Sequence, residues 1–255
     1  MTLTRDGLRE ILIATLVLGG GGAVAAWVAI AVSPWLWAVA APLLVLWLFV
    51  LAFFRDPARI TPREPGLLVA PADGKVSDVT PLAGCEGIDG PALRIGIFLS
   101  VFDVHINRAP CDGRVIKTDY SQGRFLDARH LDAGAQNEAN TIFIEPESGM
   151  SGPIIVRQIA GLIARRIVCH VGDGTVVRRG RKIGMIKFGS RTELIVPADS
   201  GFVPAVQVGR HVSAGSTILM RFCETSESPS RTDRERAVEG QVSPDAPLCD
   251  TPIAT

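Results

Sequence analysis

The sequence predicts a mostly β domain preceded by an N-terminal transmembrane α-helical hairpin. Three observations carry this. Residues 11–54 contain no Asp, Glu, Lys or Arg, yet hold all four tryptophans. Residues 55–223 break into short apolar runs separated by Gly, Pro and Asp, the punctuation of strands and turns. From residue 224 the chain turns to Ser, Thr, Pro and charge without apolar period, which is the composition of a disordered tail.

The apolar stretch is too long for one bilayer crossing, which takes about 20 residues. Ser33-Pro34 lies near its middle. Proline lacks an N–H and restricts the residue before it, so we expect spans at 11–32 and 35–54 joined by a tight turn. Arg5 and Arg9 precede the hairpin, Arg55, Arg59 and Arg63 follow it, and the turn carries no charge. The positive-inside rule puts both ends, and the domain after them, on the cytoplasmic side of the cell membrane. A signal peptide would be shorter. A buried hairpin of a soluble protein is the alternative, and the complete absence of charge argues against it. The Gly19–Gly22 run and Pro42 are weak points in helix propensity.

Elsewhere the composition mostly excludes. The chain has 255 residues with 26 Lys+Arg against 26 Asp+Glu. That balance gives no case for nucleic-acid binding, which usually needs a basic surplus. Five cysteines are scattered without a C-x-x-C pair, so neither a disulfide framework nor a metal site is indicated, and a reducing compartment fits.

In the middle domain, 93–101, 141–144, 154–159, 167–171 and 193–196 read as strands. Residues 157–166 are ambiguous between strand and helix, and a short helix is expected around 125–131. There is weak internal repetition. Pro71-Ala72-Asp73-Gly74-Lys75-Val76 resembles Pro110-Cys111-Asp112-Gly113-Arg114-Val115, with a looser copy at 197–203. Residues 171–180 resemble 208–215. Similar punctuation occurs in lipoyl-like β-sandwich and hybrid folds, although D-G is also an ordinary turn signal. Both readings stay open at this level.

Few residues offer chemistry. Of the four histidines, His130, His170 and His211 have no partner signal. His105 differs because Phe98–Pro110 runs from an apolar strand into Asp103, His105, Asn107 and Arg108. Strand ends are where reactive groups sit on a rigid support. A second cluster places Gly189-Ser190 between two strand-like runs. Glycine can adopt strained dihedrals, and Ser190 Oγ could attack the Gly189 carbonyl. On spacing alone a plain turn is the better reading of so common a dipeptide.

Six blocks in order change that balance. They are Phe53-Phe54-Arg55-Asp56-Pro57, the block at 71–76, the block at 98–110, Asn137-Glu138-Ala139-Asn140, the run 158–168, and Ile186-Lys187-Phe188-Gly189-Ser190-Arg191. Together they resemble the short, prokaryotic-type phosphatidylserine decarboxylases, which are pyruvoyl enzymes. The match runs from about residue 53 to 223.

The resemblance implies a proenzyme that cuts itself between Gly189 and Ser190, giving a large chain 1–189 and a small chain 190–255. Ser190 becomes a covalent pyruvoyl group, and no metal is needed. The substrate is then a phospholipid: the pyruvoyl carbonyl takes the amine of the serine headgroup, carbon dioxide leaves, and phosphatidylethanolamine is released. Asp73 matches the aspartate that assists self-cleavage, expected to act by orienting a histidine. His105 matches the histidine of the D-x-H block and is expected to serve as general base and acid. Longer relatives carry a second histidine where this chain has Arg108. We therefore expect His105 to serve both steps, and Arg108 to contact carboxylate or phosphate. Two other classes are weighed: a non-enzymatic membrane-anchored lipoyl-like adaptor, and a serine hydrolase built from Ser190, His105 and Asp73. Oligomeric state is left open, a homo-oligomer included.

Overall fold

The structure, a computed structural model, describes residues 2–124, 136–147, 152–161, 166–187 and 190–223. The helix expected near 125–131, His130, Gly189 and the tail lie outside these residues.

The N-terminal part is β1 (Thr2–Leu3), α1 (Leu8–Ala14), a π turn at Thr15–Gly19, α2 (Gly20–Ala31), α3 (Trp37–Phe53) and β2 (Arg55–Asp56). The turn between the helices falls at Ser33-Pro34, as expected. β1 pairs antiparallel with β2, so both ends of the hairpin meet on one side. The glycine run is a contact face rather than a weak point. A Cβ on Gly19 would lie 3.2 Å from the Trp47 ring, and one on Gly22 3.0 Å from Leu44. Small residues let helix backbones approach closely, and Trp47 Nε1 donates to Thr15 Oγ1 across the pair at 3.1 Å. Only 17% and 11% of the two apolar windows are buried by the rest of the protein. A core hairpin of a soluble protein would be covered. Two long apolar helices left bare in this way are consistent with membrane association.

Strands build the rest. In order they are β3 (Leu67–Val69), β4 (Gly74–Leu82), β5 (Ala92–Leu99), β6 (Ile106–Arg108), β7 (Gly113–Ser121), β8 (Ala139–Pro146), β9 (Ile154–Ala160) and β10 (Ile167–Cys169). They continue as β11 (Val176–Val177), β12 (Lys182–Ile186), β13 (Ser190–Pro197), β14 (Phe202–Pro204), β15 (His211–Val212) and β16 (Ile218–Phe222). Eight form one antiparallel sheet in the order β11-β7-β8-β9-β13-β5-β4-β15. Two three-stranded sheets, β10-β12-β6 and β14-β16-β3, accompany it. Residues 157–160 are strand, which resolves part of the ambiguous run.

The repeat is real and fixes the corners of the fold. Gly113 pairs with Val177, and Gly74 with Val212. The Val115 N–H donates to Thr175, and the Val76 N–H to Arg210. The Gly180 N–H donates to Ala109, and the Gly215 N–H to Ala70. Even the aspartates correspond: Asp112 accepts from the Arg179 N–H at 3.1 Å, and Asp73 from the Ala214 N–H at 2.7 Å. Each sequence repeat is thus one β-corner, and the two corners end the large sheet.

β13 is the central strand, and all eight of its residues are buried between β5 and β9. Leu194 and Val196 join the main core with Ile95, Ile97 and Leu99. On the opposite face Ile195 packs in a smaller cluster with Ile155 and Phe143. The strand starts at Ser190 rather than at 193, as expected from sequence. Ser190-Arg191-Thr192-Glu193 reads as a polar turn, yet each of these residues is at most 1% exposed. The side chains of Arg191, Thr192 and Glu193 are paired inside the fold, which hydrophobic pattern cannot show.

Candidate active site

Ser190 opens β13, pairing with Leu99 of β5 and Ala160 of β9. It is fully buried, and its Oγ has no hydrogen-bond partner among the described residues. A buried hydroxyl left unpaired costs about 1–3 kcal/mol, so such groups are rare and often reactive.

The turn after β5 delivers His105. Its backbone carbonyl accepts the Ile186 N–H at 3.1 Å, which sets it beside the end of β12, four residues before Ser190. Its Nδ1 lies 2.9 Å from the Asp103 carbonyl oxygen. A carbonyl only accepts, so Nδ1 carries the proton and Nε2 is the basic nitrogen. The ring packs on Phe53 with centroids 4.5 Å apart. This burial outweighs the nearby Asp103 and pushes the imidazole pKa down to about 4. His105 is therefore neutral at pH 7.

Asp73 precedes β4 at the same end of the sheet. Its oxygens go to Arg59 at 2.5 Å and to the Ala214 N–H. The bond that orients the His105 imidazole is thus a main-chain one, and Asp73 does not supply it. Because Asp112 makes the same bond in the equivalent corner, the Ala214 contact belongs to the turn. What sets Asp73 apart is the direct bond from Arg59, since Arg179 and Arg178 approach Asp112 only to 3.9 and 4.0 Å. Burial raises the Asp73 pKa, opposed by the Ala214 bond and Arg59. Arg108 does contact a carboxylate, the protein's own: it donates to Asp56 at 2.9 Å and to the Gly180 carbonyl at 2.9 Å. Asp56 also pairs with Lys182.

Two buried networks hold the start of β13, and sequence reasoning gave their members no role. On the Ser190 face, Asn140 Nδ2 donates to Gln158 at 2.9 Å and Gln158 Nε2 to Asn107 at 2.8 Å. Asn107 Nδ2 then donates to Thr192 Oγ1 at 3.0 Å. These amides come from three of the six sequence blocks, so their spacing was visible and their convergence was not. On the other face Arg191, 1% exposed, donates to Ser77 at 2.9 Å, Asp78 at 2.6 Å and Glu193 at 2.9 Å. Gly96 makes this possible, since a Cβ there would fall 2.3 Å from the guanidinium. Just before the junction, Lys187 pairs with Glu10 of α1 at 2.6 Å. The hairpin therefore touches the site through Phe53 and through Glu10.

An adaptor module has no need of a buried serine whose hydroxyl has no partner among the described residues, nor of a buried, neutral imidazole. Fold and site together fit an enzyme whose β domain carries two uncovered apolar helices. Comparison with known proteins places it further. The sequence profile of phosphatidylserine decarboxylase matches residues 46–220, and the chain belongs to that family. A phosphatidylserine decarboxylase proenzyme of Trichlorobacter lovleyi is 46% identical over 207 residues, covering 81% of this chain and 89% of that protein. The proenzyme of Rhodopirellula baltica is 42% identical over 224 residues, covering 87% and 89%. That of Zymomonas mobilis is 48% identical over 192 residues, covering 72% and 76%.

Proposed function

We propose that this chain is a proenzyme that cuts itself between Gly189 and Ser190 and then decarboxylates phosphatidylserine to phosphatidylethanolamine. The single observation that carries the reading is the unpaired Ser190 hydroxyl at the buried start of β13. Nothing in the packing of the fold requires a hydroxyl there. Family membership supplies the substrate.

His105 Nε2 takes the proton of Ser190 Oγ, which adds to the Gly189 carbonyl. The C–N bond breaks, the nitrogen keeps the proton returned by His105, and an ester remains. Loss of the Ser190 α-proton and cleavage of its Cβ–O bond leave a carboxylate on Gly189 and a dehydroalanine at 190. Water enters and ammonia leaves, which makes the pyruvoyl group. Its carbonyl supplies an electron sink for the pair left by departing carbon dioxide.

This chain's own residues hold that group. Residue 190 stays clamped between Leu99 and Ala160, and Arg191 and Thr192 are pinned from opposite faces. The end of β13 thus keeps its register after the chain is cut. His105 sits in a dry site against Phe53, where it can return a proton to carbon without competing water. We read Arg108 as holding the Arg55-Asp56-Pro57 block in place, and a headgroup anion reaching it displaces Asp56. Asp73 steers Arg59 at the rim. The basic residues at both ends of the hairpin, joined by β1 and β2, support a catalytic domain on the cytoplasmic side.

Feeding phosphatidylserine labelled in its serine carboxyl to the protein in mixed micelles tests the proposal. The wild-type chain releases labelled carbon dioxide, and Ser190→Ala neither cuts itself nor releases it. Undiminished release from Ser190→Ala would remove the reading.

A further inference from the structure

The turn between β5 and β6 presents a phenylalanine where turns normally carry polar residues. Phe102 is 72% exposed. The turn beneath it is rigid: the Ser100 N–H donates to Asp103 Oδ2 at 2.8 Å, and the Asp103 N–H to the Ser100 carbonyl at 2.9 Å. It is also fastened to the hairpin. Arg55 donates to the Phe102 carbonyl at 2.6 Å and to the Ala52 carbonyl, at the end of α3, at 2.7 Å. The Phe102 ring meets Phe49 of α3 edge-on, with centroids 5.9 Å apart.

Phe102 therefore extends the bare apolar surface of α3 beyond the helix. The next residue marks the other side of a boundary, because Asp103 pairs with His211 at 3.0 Å. His105 follows two residues later.

We propose that Phe102 dips into the acyl layer of the bilayer and fixes His105 at headgroup depth. The occupant of its exposed face is lipid, argued from continuity with two apolar helices that are left uncovered. The inference rests on the reading that those helices lie in a membrane. A bilayer-resident substrate then reaches the imidazole without leaving the interface, with Phe102 and α3 on the acyl side and Asp103 on the polar side.

Photocrosslinking tests this with the full chain in phosphatidylcholine vesicles containing a radiolabelled lipid. Benzoylphenylalanine is placed at position 16 in the hairpin, at 102, or at 116. Leu16 is 78% exposed; Ile116, 46% exposed, lies on β7 level with Ile195, far down the ladder from Ser190. The expected result is labelled lipid on 16 and 102 and none on 116. Labelling at 16 without 102 overturns the Phe102 proposal and leaves the membrane reading standing. Absence at 16 as well overturns both. Crosslinking of 102 to a second copy of the chain also overturns it. Phe102→Trp guards against a folding artefact of the larger side chain: its added emission over wild type is expected to be quenched by lipids brominated on their acyl chains, and unquenched emission counts against the proposal.

Discussion

Acidification tests the burial of His105. In the folded chain its pKa is about 4, and the reference value is 6.5. Below pH 6.5 the unfolded chain takes up a proton at this position and the folded chain does not, so acid favours unfolding. The effect is absent above pH 6.5, grows as pH falls, and levels off near pH 4. A span of about 2.5 units at 1.36 kcal/mol each amounts to about 3 kcal/mol. For a protein of this size that corresponds to about 6–12 °C in melting temperature. The comparison uses Ser190→Ala and Ser190→Ala/His105→Gln, so that neither chain cuts itself. Other acids titrate equally in both and cancel. Thermal melts in detergent by circular dichroism between pH 7 and 4 should show the histidine chain losing that much more stability than its Gln counterpart. Parallel curves would refute the claim that His105 is held neutral by burial, and with it the assignment of a dry basic imidazole.

Three further outcomes follow from the same contacts. Arg191→Met in the Ser190→Ala background leaves Asp78 and Glu193 with Arg94 alone, at 3.4 and 3.7 Å, and should cost about 3 kcal/mol in urea unfolding, the low end for a broken buried pair; a loss below about 1 kcal/mol would show that Arg191 adds nothing that Arg94 does not supply. Gln158→Leu orphans the Asn107 carbonyl and the Asn140 amide and should cost about 2–6 kcal/mol, at 1–3 for each unpaired group. It should also slow the appearance of two bands on a denaturing gel; unchanged stability and cutting rate would remove the amide chain from the account. Reduction with cyanoborohydride in the presence of phosphatidylserine should add lipid mass to the 190–255 fragment alone. Label on the large fragment, or none, counts against a carbonyl at residue 190, and a serine hydrolase would give none.

The hairpin was legible because a membrane helix announces itself by the absence of charge, a property of each residue singly. Its glycines were misjudged because propensity scores a helix in isolation, and here Gly19 and Gly22 seat Trp47 and Leu44. Strands with apolar alternation were found to within a few residues. The start of β13 was missed because its side chains are polar and are compensated by residues distant in sequence, Asn107 and Asp78 among them. The repeat was visible as spelling, and only the matching registers of Gly74 with Val212 and Gly113 with Val177 show that it is structural. Asp73 was expected to orient a histidine. That expectation came from a chemistry in which aspartate serves imidazole, whereas here the Asp103 carbonyl does so, and main-chain partners leave no mark in sequence. Ser190 opens β13 opposite Leu99, the last residue of β5, while His105 follows β5 and Asp73 directly precedes β4.

Intact-mass spectrometry of freshly purified, active protein addresses the centre of the account most directly. It should find two pieces, 1–189 and 190–255, with the smaller one lighter by one ammonia than simple hydrolysis at that peptide bond would leave it. A fully active preparation consisting of one unbroken 255-residue chain, or a small piece beginning with ordinary serine, would contradict it.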